Sequence, residues 1–270
     1  MHALKPAILL IGAGRMGSAL LKGWVAHGLA PLLAVEPHPS PALAKFARVN
    51  NIALFAAIEQ AADLRIAACV VALKPQMLPS EAPRLKPVAE RGALMLSIAA
   101  GTRIASLRTA WGRRARIVRA MPNTPGAIGK GISALYAPRG IAASERHRAE
   151  ALLAGLGETV WVDSEHEIDI ATAVSGSGPA YVFLLAECLA AAGEAQGLSR
   201  DSAQRLARAT IIGAGALLEA EPRAASELRR DVTSPGGTTE AALGVLLKGM
   251  PKLVARAVAA ACRRAADLSG

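Results

Sequence analysis

The chain has 270 residues, 52% of them hydrophobic but only 3% aromatic, and a formal net charge of +10 at pH 7. That length allows one large domain or two ordinary ones, and this apolar content excludes a disordered polyelectrolyte. The basic balance reads as a solvated, arginine-rich surface rather than a nucleic-acid or membrane site: the densest cluster, Arg113, Arg114, Arg116 and Arg119, lacks the interleaved aromatics of a base-stacking face.

Residues 7–11, AILLI, form a short apolar run, followed by GAGRMG and then by SALLKGWVAHG with helical spacing. Strand, glycine turn and helix follow in that order, with His27-Gly28 as the helix stop. LLAVE at 32–36 is a second strand. CVVAL at 69–73, LMLSI at 94–98 and RIVRA at 116–120 are apolar throughout, as parallel strands buried on both faces must be. GISALY at 131–136 and TVWV at 159–162 are expected as edge strands.

Beyond residue 165 strand signals vanish. A long helix is expected over 169–196 with GSGP in its early part, and a second over 200–220, capped by Ser199 or Asp201. The loop TSPGGT at 233–238 and a last helix or pair over 239–267 complete the chain. The fold class is therefore an α/β Rossmann-type N-terminal domain (1–164) followed by an all-α C-terminal domain (165–270). The apolar stretch 182–193 is interrupted by Glu187 and reads as a buried helix rather than a membrane span.

Cys69, Cys188 and Cys262 are far apart with no CxxC, which reads as reduced thiols of a cytoplasmic protein. A glycine-rich motif directly after the first apolar run reads against a secretory signal. The histidines His2, His27, His38, His147 and His166 show no metal-ligand spacing, so no metal is expected.

The chemistry-bearing motif nearest the N-terminus is Gly12-Ala13-Gly14-Arg15-Met16-Gly17. Gly12 permits the tight turn, Gly14 admits a pyrophosphate close to the backbone, and Gly17 lets the helix pack on the strand. The free N–H groups of the helix start then face the phosphates. Glu36 ends the second strand, where a carboxylate accepts from an adenosine ribose 2′-hydroxyl and repels a 2′-phosphate, so Glu36 leans towards NADH over NADPH. Ala72, Lys74 and Pro75 lie in the segment after a later strand, at the end of the sheet where such folds bind ligands.

Three further segments combine glycine, proline and hydroxyl residues: Met121-Pro122-Asn123-Thr124-Pro125, Ser175-Gly176-Ser177-Gly178-Pro179-Ala180-Tyr181, and Thr233-Ser234-Pro235-Gly236-Gly237-Thr238-Thr239. The last can form a nest of backbone N–H groups for a small carboxylate; Ser234 or Thr239 can equally cap the next helix. Together with GAGRMG and the lysine-proline-glutamine at 74–76, and in this order over nearly the whole chain, these motifs resemble the pyrroline-5-carboxylate reductase family.

The resemblance implies that the helical domain serves dimerisation, as a homodimer or higher homo-oligomer, with a small-molecule substrate at the dimer interface. It implies that Ser234, Gly236, Gly237, Thr238 and Thr239 hold the substrate carboxylate. It places the Thr239 hydroxyl near the ring nitrogen, and Gly14, Met16, Gly17, Lys74 and Asn123 on the cofactor side. NADPH or NADH is the implied hydride donor. Two departures stand out. The family often carries an asparagine near the adenosine where this chain reads Ala56-Ala57-Ile58-Glu59-Gln60, and Glu36 replaces a small polar residue common there.

Two rivals remain. A β-hydroxyacid dehydrogenase needs a catalytic lysine in its helical domain, and residues 169–220 contain none. A non-catalytic dinucleotide-binding protein has no need of the hydroxyl-rich 234–239 loop.

Overall fold

The computed structural model describes residues 6–269. It divides into two compact units: residues to Gly176 with those from Ala261 onward, and Ser177–Ala260.

The first unit opens with β1 (Ala7–Ile11), α1 (Arg15–Ala26), β2 (Leu32–Val35), α2 (Pro41–Val49) and β3 (Ala53–Phe55). Short helices α3 (Glu59–Ala62), α4 (Leu78–Glu81) and α5 (Lys86–Glu90) flank β4 (Ile66–Val71) and precede β5 (Leu94–Ser97). Then come α6 (Ile104–Trp111), β6 (Arg116–Met121), β7 (Gly131–Tyr136), α7 (Ala143–Leu153), β8 (Gly157–Trp161) and α8 (Glu165–Ala171). The strands form one sheet in the order β3-β2-β1-β4-β5-β6-β7-β8. Its pairs are parallel except β6 with β7. β7 is interior to the sheet, not an edge, because β8 pairs along its outer side. The three-residue β3 was missed: with only Leu54 and Phe55 apolar at its end, it has no periodicity of its own.

The apolar strand runs follow from burial on both faces. Leu10, Ala34, Val70, Leu96 and Val118 pack with Leu20, Leu21 and Trp24 on one side. Their strand neighbours Leu9, Ile11, Val35, Val71, Met95 and Ile117 pack with Leu85, Ile104, Leu107 and Trp111 on the other. Side chains alternate between faces, so a strand covered on both has no polar position to spare. Each buried indole keeps a partner: Trp24 Nε1 donates to the Leu152 carbonyl at 2.7 Å and Trp111 Nε1 to that of Ala82 at 3.0 Å. Cys69 is buried in β4, and burial pushes its thiol well above the usual range, leaving it unreactive.

The arginine cluster is not a single patch. Arg119 is 3% exposed and donates to Glu165 Oε1 at 2.6 Å, while Arg116 pairs with Glu145 at 2.9 Å. Glu165 Oε1 also accepts from the Ile104 N–H at 2.9 Å, and Arg103 reaches Asp169 at 2.8 Å. This network ties α8 to the sheet and to the start of α6. Glu165→Gln keeps an acceptor but leaves the buried Arg119 charge uncompensated. Thermal and urea melts are expected to show a loss of about 1–3 kcal/mol.

The helix expected from 169 starts earlier, at Glu165, where the Ser164 hydroxyl accepts from the Glu167 N–H. It then passes through a π-turn over Thr172–Gly176 before α9 (Gly178–Ala195). The Thr172 and Ser175 hydroxyls donate to the carbonyls of Ile168 and Ala171, which suits the widened turn.

In the second unit α9 packs against α10 (Arg200–Ala220), whose cap is Ser199, accepting from the Ser202 N–H at 3.3 Å. Gly193 and Ala203 meet there, small residues that let the helices approach. α11 (Ala225–Asp231) was not expected, being short and charged. α12 (Thr238–Ser269) runs unbroken through Pro251, and its residues from Ala261 belong to the first unit. The reading of 182–193 as a buried helix is overturned for the single chain: no residue of α9 is buried, and Phe183 is 62% exposed. An apolar sequence marks a surface that needs covering, but does not say whether the same chain covers it.

Candidate functional site

The glycine motif forms the turn between β1 and α1. Gly12 has φ +85°, and a Cβ there would lie 2.9 Å from the Ala72 carbonyl oxygen. A Cβ at Gly17 would overlap the Gly12 carbonyl oxygen, so helix and strand meet only because both positions are glycine. Gly14 differs: a Cβ there would meet nothing within 4 Å. The loop therefore leaves open space over Gly14 at the N-terminus of α1, which fits a pyrophosphate against free N–H groups. Arg15 and Met16 complete the first turn, Arg15 exposed and Met16 packed on the core.

A cleft of about 250 Å³ opens beside this turn, lined by Gly12, Gly14, Glu36, Ala72, Lys74 and Met77 among others. Lys74 is exposed, and its carbonyl accepts from the Met77 N–H at 2.9 Å to begin the 3₁₀ turn at Pro75. Glu36 bends back on the glycine turn. Its Oε2 accepts from the Ala13 N–H at 2.8 Å and its Oε1 from the His38 N–H at 3.3 Å. It thereby holds the turn and sets a carboxylate at the end of β2.

The cleft is lined as well by Ala56, Ala57 and Ile58, in the segment where the family resemblance places the adenosine, and by Glu81 and Arg84, which sequence reasoning missed. These come from the β3–α3 connection and from turns after β4, and no motif joins them in sequence. The departure at 56–60 has a structural counterpart: the Gln60 Oε1 accepts from the N–H groups of Ala56 and Ala57 at 2.9 and 3.1 Å, holding that loop.

Asn123 follows β6. Its Oδ1 accepts from the Ile132 N–H at 3.0 Å and its Nδ2 donates to the Ser175 carbonyl at 3.2 Å. Its amide thus ties β7 to the π-turn, with one donor and one lone pair left over.

In the second unit, Ser234, Gly236 and Gly237 form the turn before α12, and Thr238 and Thr239 begin that helix. The Gly237 N–H donates to the Ser234 carbonyl at 3.0 Å, and a Cβ on Gly237 would overlap Ser234 Oγ. Glu240, which sequence reasoning passed over, accepts from the Gly236 N–H at 2.7 Å. That carboxylate braces the turn together with the Ser234 carbonyl, and it shows a backbone donor here already facing an acidic oxygen. The N–H groups of Thr238 and Thr239 head the helix, where no preceding turn supplies acceptors.

Comparison with known proteins agrees with this arrangement. Residues 165–268 match the family model for pyrroline-5-carboxylate reductase dimerisation, and residues 7–101 match that of NADP oxidoreductase, coenzyme F420-dependent. The chain is 40% identical over 267 residues to a pyrroline-5-carboxylate reductase of Pseudomonas aeruginosa, covering 98% of this chain and 97% of the relative. Among solved structures, a pyrroline-5-carboxylate reductase from Coxiella burnetii superposes with a TM-score of 0.90 at 33% identity, covering 97% of this chain and 98% of that one. A Plasmodium falciparum pyrroline carboxylate reductase with NADP bound superposes at 0.81 with 29% identity, covering 98% and 99%. A glycine turn shaped for a dinucleotide, a hydroxyl-lined turn at a helix start and relatives matched over almost their whole length place this chain in the pyrroline-5-carboxylate reductase family.

Proposed function

We propose that this chain reduces 1-pyrroline-5-carboxylate to L-proline with NADH in preference to NADPH, the Thr238–Thr239 helix start holding the substrate and Thr239 serving its ring nitrogen. The observation carrying the substrate assignment is the hydroxyl- and N–H-rich turn at 234–239. Reduction of a cyclic imine by an NAD(P)H-dependent oxidoreductase is the activity of the family to which the chain belongs. An assay of cofactor oxidation with pyrroline-5-carboxylate, run with both cofactors, tests the activity directly. Cofactor oxidation that does not depend on pyrroline-5-carboxylate would overturn it.

The nicotinamide supplies the hydride. The chain supplies position and electrostatics. The N–H groups of Thr238 and Thr239 hold the substrate carboxylate, with Gly236 and Gly237 giving it room and Ser234 at its side. The Thr239 hydroxyl donates a hydrogen bond to the ring nitrogen and stabilises the proton there, which makes the imine carbon a better hydride acceptor. Gly12, Gly14 and Gly17, with the first turn at Arg15 and Met16, hold the pyrophosphate. Ala72 and Lys74 line the cleft, Pro75 starts the turn that follows them, and Lys74 adds positive charge on the dinucleotide side. Asn123 is a positioning residue for the loop after β6.

The NADH preference rests on Glu36. Its carboxylate stands at the end of β2, where it accepts from a ribose 2′-hydroxyl but repels a 2′-phosphate. Steady-state kinetics are expected to give a higher kcat/KM with NADH, and Glu36→Gln to narrow the NADH-to-NADPH ratio by roughly tenfold, a difference of ~1.4 kcal/mol. A wild-type ratio at or below one would reject the reading.

We assign residues 1–164 to the dinucleotide and 165–270 to the substrate and to self-association, as a homodimer or larger homo-oligomer in the cytoplasm. Support comes from the exposed apolar side chains Phe183, Leu184 and Ile212, which line or flank a groove of about 660 Å³ between α9 and α10, and from the matched dimerisation model. Phe183→Glu is expected to shift the species seen by light scattering towards monomer. An unchanged mass would remove this face from the interface.

A further inference from the structure

The wall of the dinucleotide cleft carries an ion-pair cluster that the family resemblance did not point to. Arg84 lies on the 3₁₀ turn Ala82–Leu85, next to Glu81 at the end of α4, and faces Glu59 at the start of α3. Its Nε and Nη2 donate to the two carboxylate oxygens of Glu59 at 2.7 and 2.6 Å, a bidentate fork. Its Nη1 donates to Glu81 Oε2 at 2.6 Å. Arg84 and Glu81 line the same cleft as Glu36, Gly12 and Gly14.

A guanidinium near the acidic position of a Rossmann cleft is the group that receives a 2′-phosphate in dinucleotide-binding folds selective for NADPH, and Arg84 lines the cleft that Glu36 lines. Here both edges of the guanidinium are already used by carboxylates. A 2′-phosphate could reach Arg84 only by displacing one of them, and would then lie beside the Glu81 and Glu59 carboxylates in a cleft that Glu36 also lines. The Arg84 fork holds the Glu59 carboxyl down at about 2, so the pair is ionised throughout the neutral and mildly acid range. Because that value is depressed, the pairing is present above the ordinary glutamate range and is lost only as pH falls through about 2.

We propose that Arg84 is a latent 2′-phosphate receptor kept occupied by Glu59 and Glu81, and that this cluster is a determinant of cofactor selectivity in addition to Glu36. The proposal deepens the NADH reading above and rests on the same cleft. The energetic scale is set less by the pairs themselves, which are partly exposed and individually weak, than by what the guanidinium could do once released. A freed Arg84 offers a planar fork with the geometry of a phosphate edge.

The test uses 2′,5′-ADP and 5′-AMP as probes, two ligands that differ only in the 2′-phosphate, titrated calorimetrically into the full-length protein. Wild type, Glu59→Gln with Glu81→Gln, and the same pair combined with Arg84→Ala are compared. The double variant is expected to raise the affinity of 2′,5′-ADP relative to 5′-AMP by about tenfold, as a new charge-assisted contact would. The triple variant is expected to lose that gain.

An unchanged affinity ratio in the double variant overturns the proposal. So does a gain that survives Arg84→Ala, since it would then come from the removed negative charge alone. The wild-type ratio separates the two readings. Wild type favouring 2′,5′-ADP defeats the NADH preference without touching the cluster's role, whereas wild type favouring 5′-AMP with an unresponsive double variant defeats the cluster alone.

Discussion

Thr239→Ala is expected to lower kcat/KM for pyrroline-5-carboxylate by roughly 10²-fold, the usual loss on removing one preorganised donor from a site where charge develops. Thr239 is half-buried in the first turn of α12, beside the Gly236–Gly237 turn. Its backbone N–H survives the substitution, so carboxylate binding and KM should move little while kcat falls. Thr239→Ser keeps the hydroxyl and should recover most of the rate. A purely structural role for Thr239 would instead lower the melting temperature and be rescued no better by serine. The turn is independently braced by Glu240 on the Gly236 N–H, so the alanine variant should keep its fold. A wild-type rate in Thr239→Ala would remove the hydroxyl from the reaction.

The second large effect is a contrast between two glycines three residues apart. Gly17→Ala drives a methyl group into the Gly12 carbonyl and within 3.3 Å of a Leu10 methyl, so α1 must move off β1. Overpacking of this kind costs about 1–3 kcal/mol, and the displaced helix N-terminus no longer presents its N–H groups to the pyrophosphate. Stability and cofactor affinity should fall together. Gly14→Ala adds a methyl group that meets nothing within 4 Å, and its φ of −62° suits any residue. Its melting temperature should match wild type, while the methyl fills the space left for the pyrophosphate and weakens NADH binding by at least about tenfold, or ~1.4 kcal/mol. Calorimetric melting and cofactor titration on both variants check the pair. Equal stability losses in the two would contradict the geometry of the turn.

The glycine turn was legible because its requirements are local: a positive φ at Gly12 and a missing side chain at Gly17 are set within a single strand-turn-helix unit. The hydroxyl-rich turn was legible for the same reason, although its bracing by Glu240 was not, since a glutamate in the first turn of a helix is ordinary. The ion-pair cluster at the dinucleotide cleft escaped notice, although the segment holding Glu59 stands out in the sequence for its missing asparagine. Glu59, Glu81 and Arg84 are separated by up to 25 positions and belong to three different short elements. Nothing in a stretch such as AIEQ or EAPRL distinguishes a cleft residue from a solvated one.

From the order of residues alone came the alternation of apolar runs and helical segments, the sheet-then-helices division, the two ligand-facing turns and, through Glu36, a charge argument about the cofactor. All of these depend on neighbours within a few positions of one another, where backbone sterics and side-chain periodicity act. The interior place of β7, the burial of Arg119 against Glu165, the exposure of α9 and the double pairing of Arg84 were decided only in three dimensions. Each depends on which distant segment arrives to supply a hydrogen-bond partner, a counter-charge or a covering surface, and a linear sequence does not encode those meetings in any local pattern.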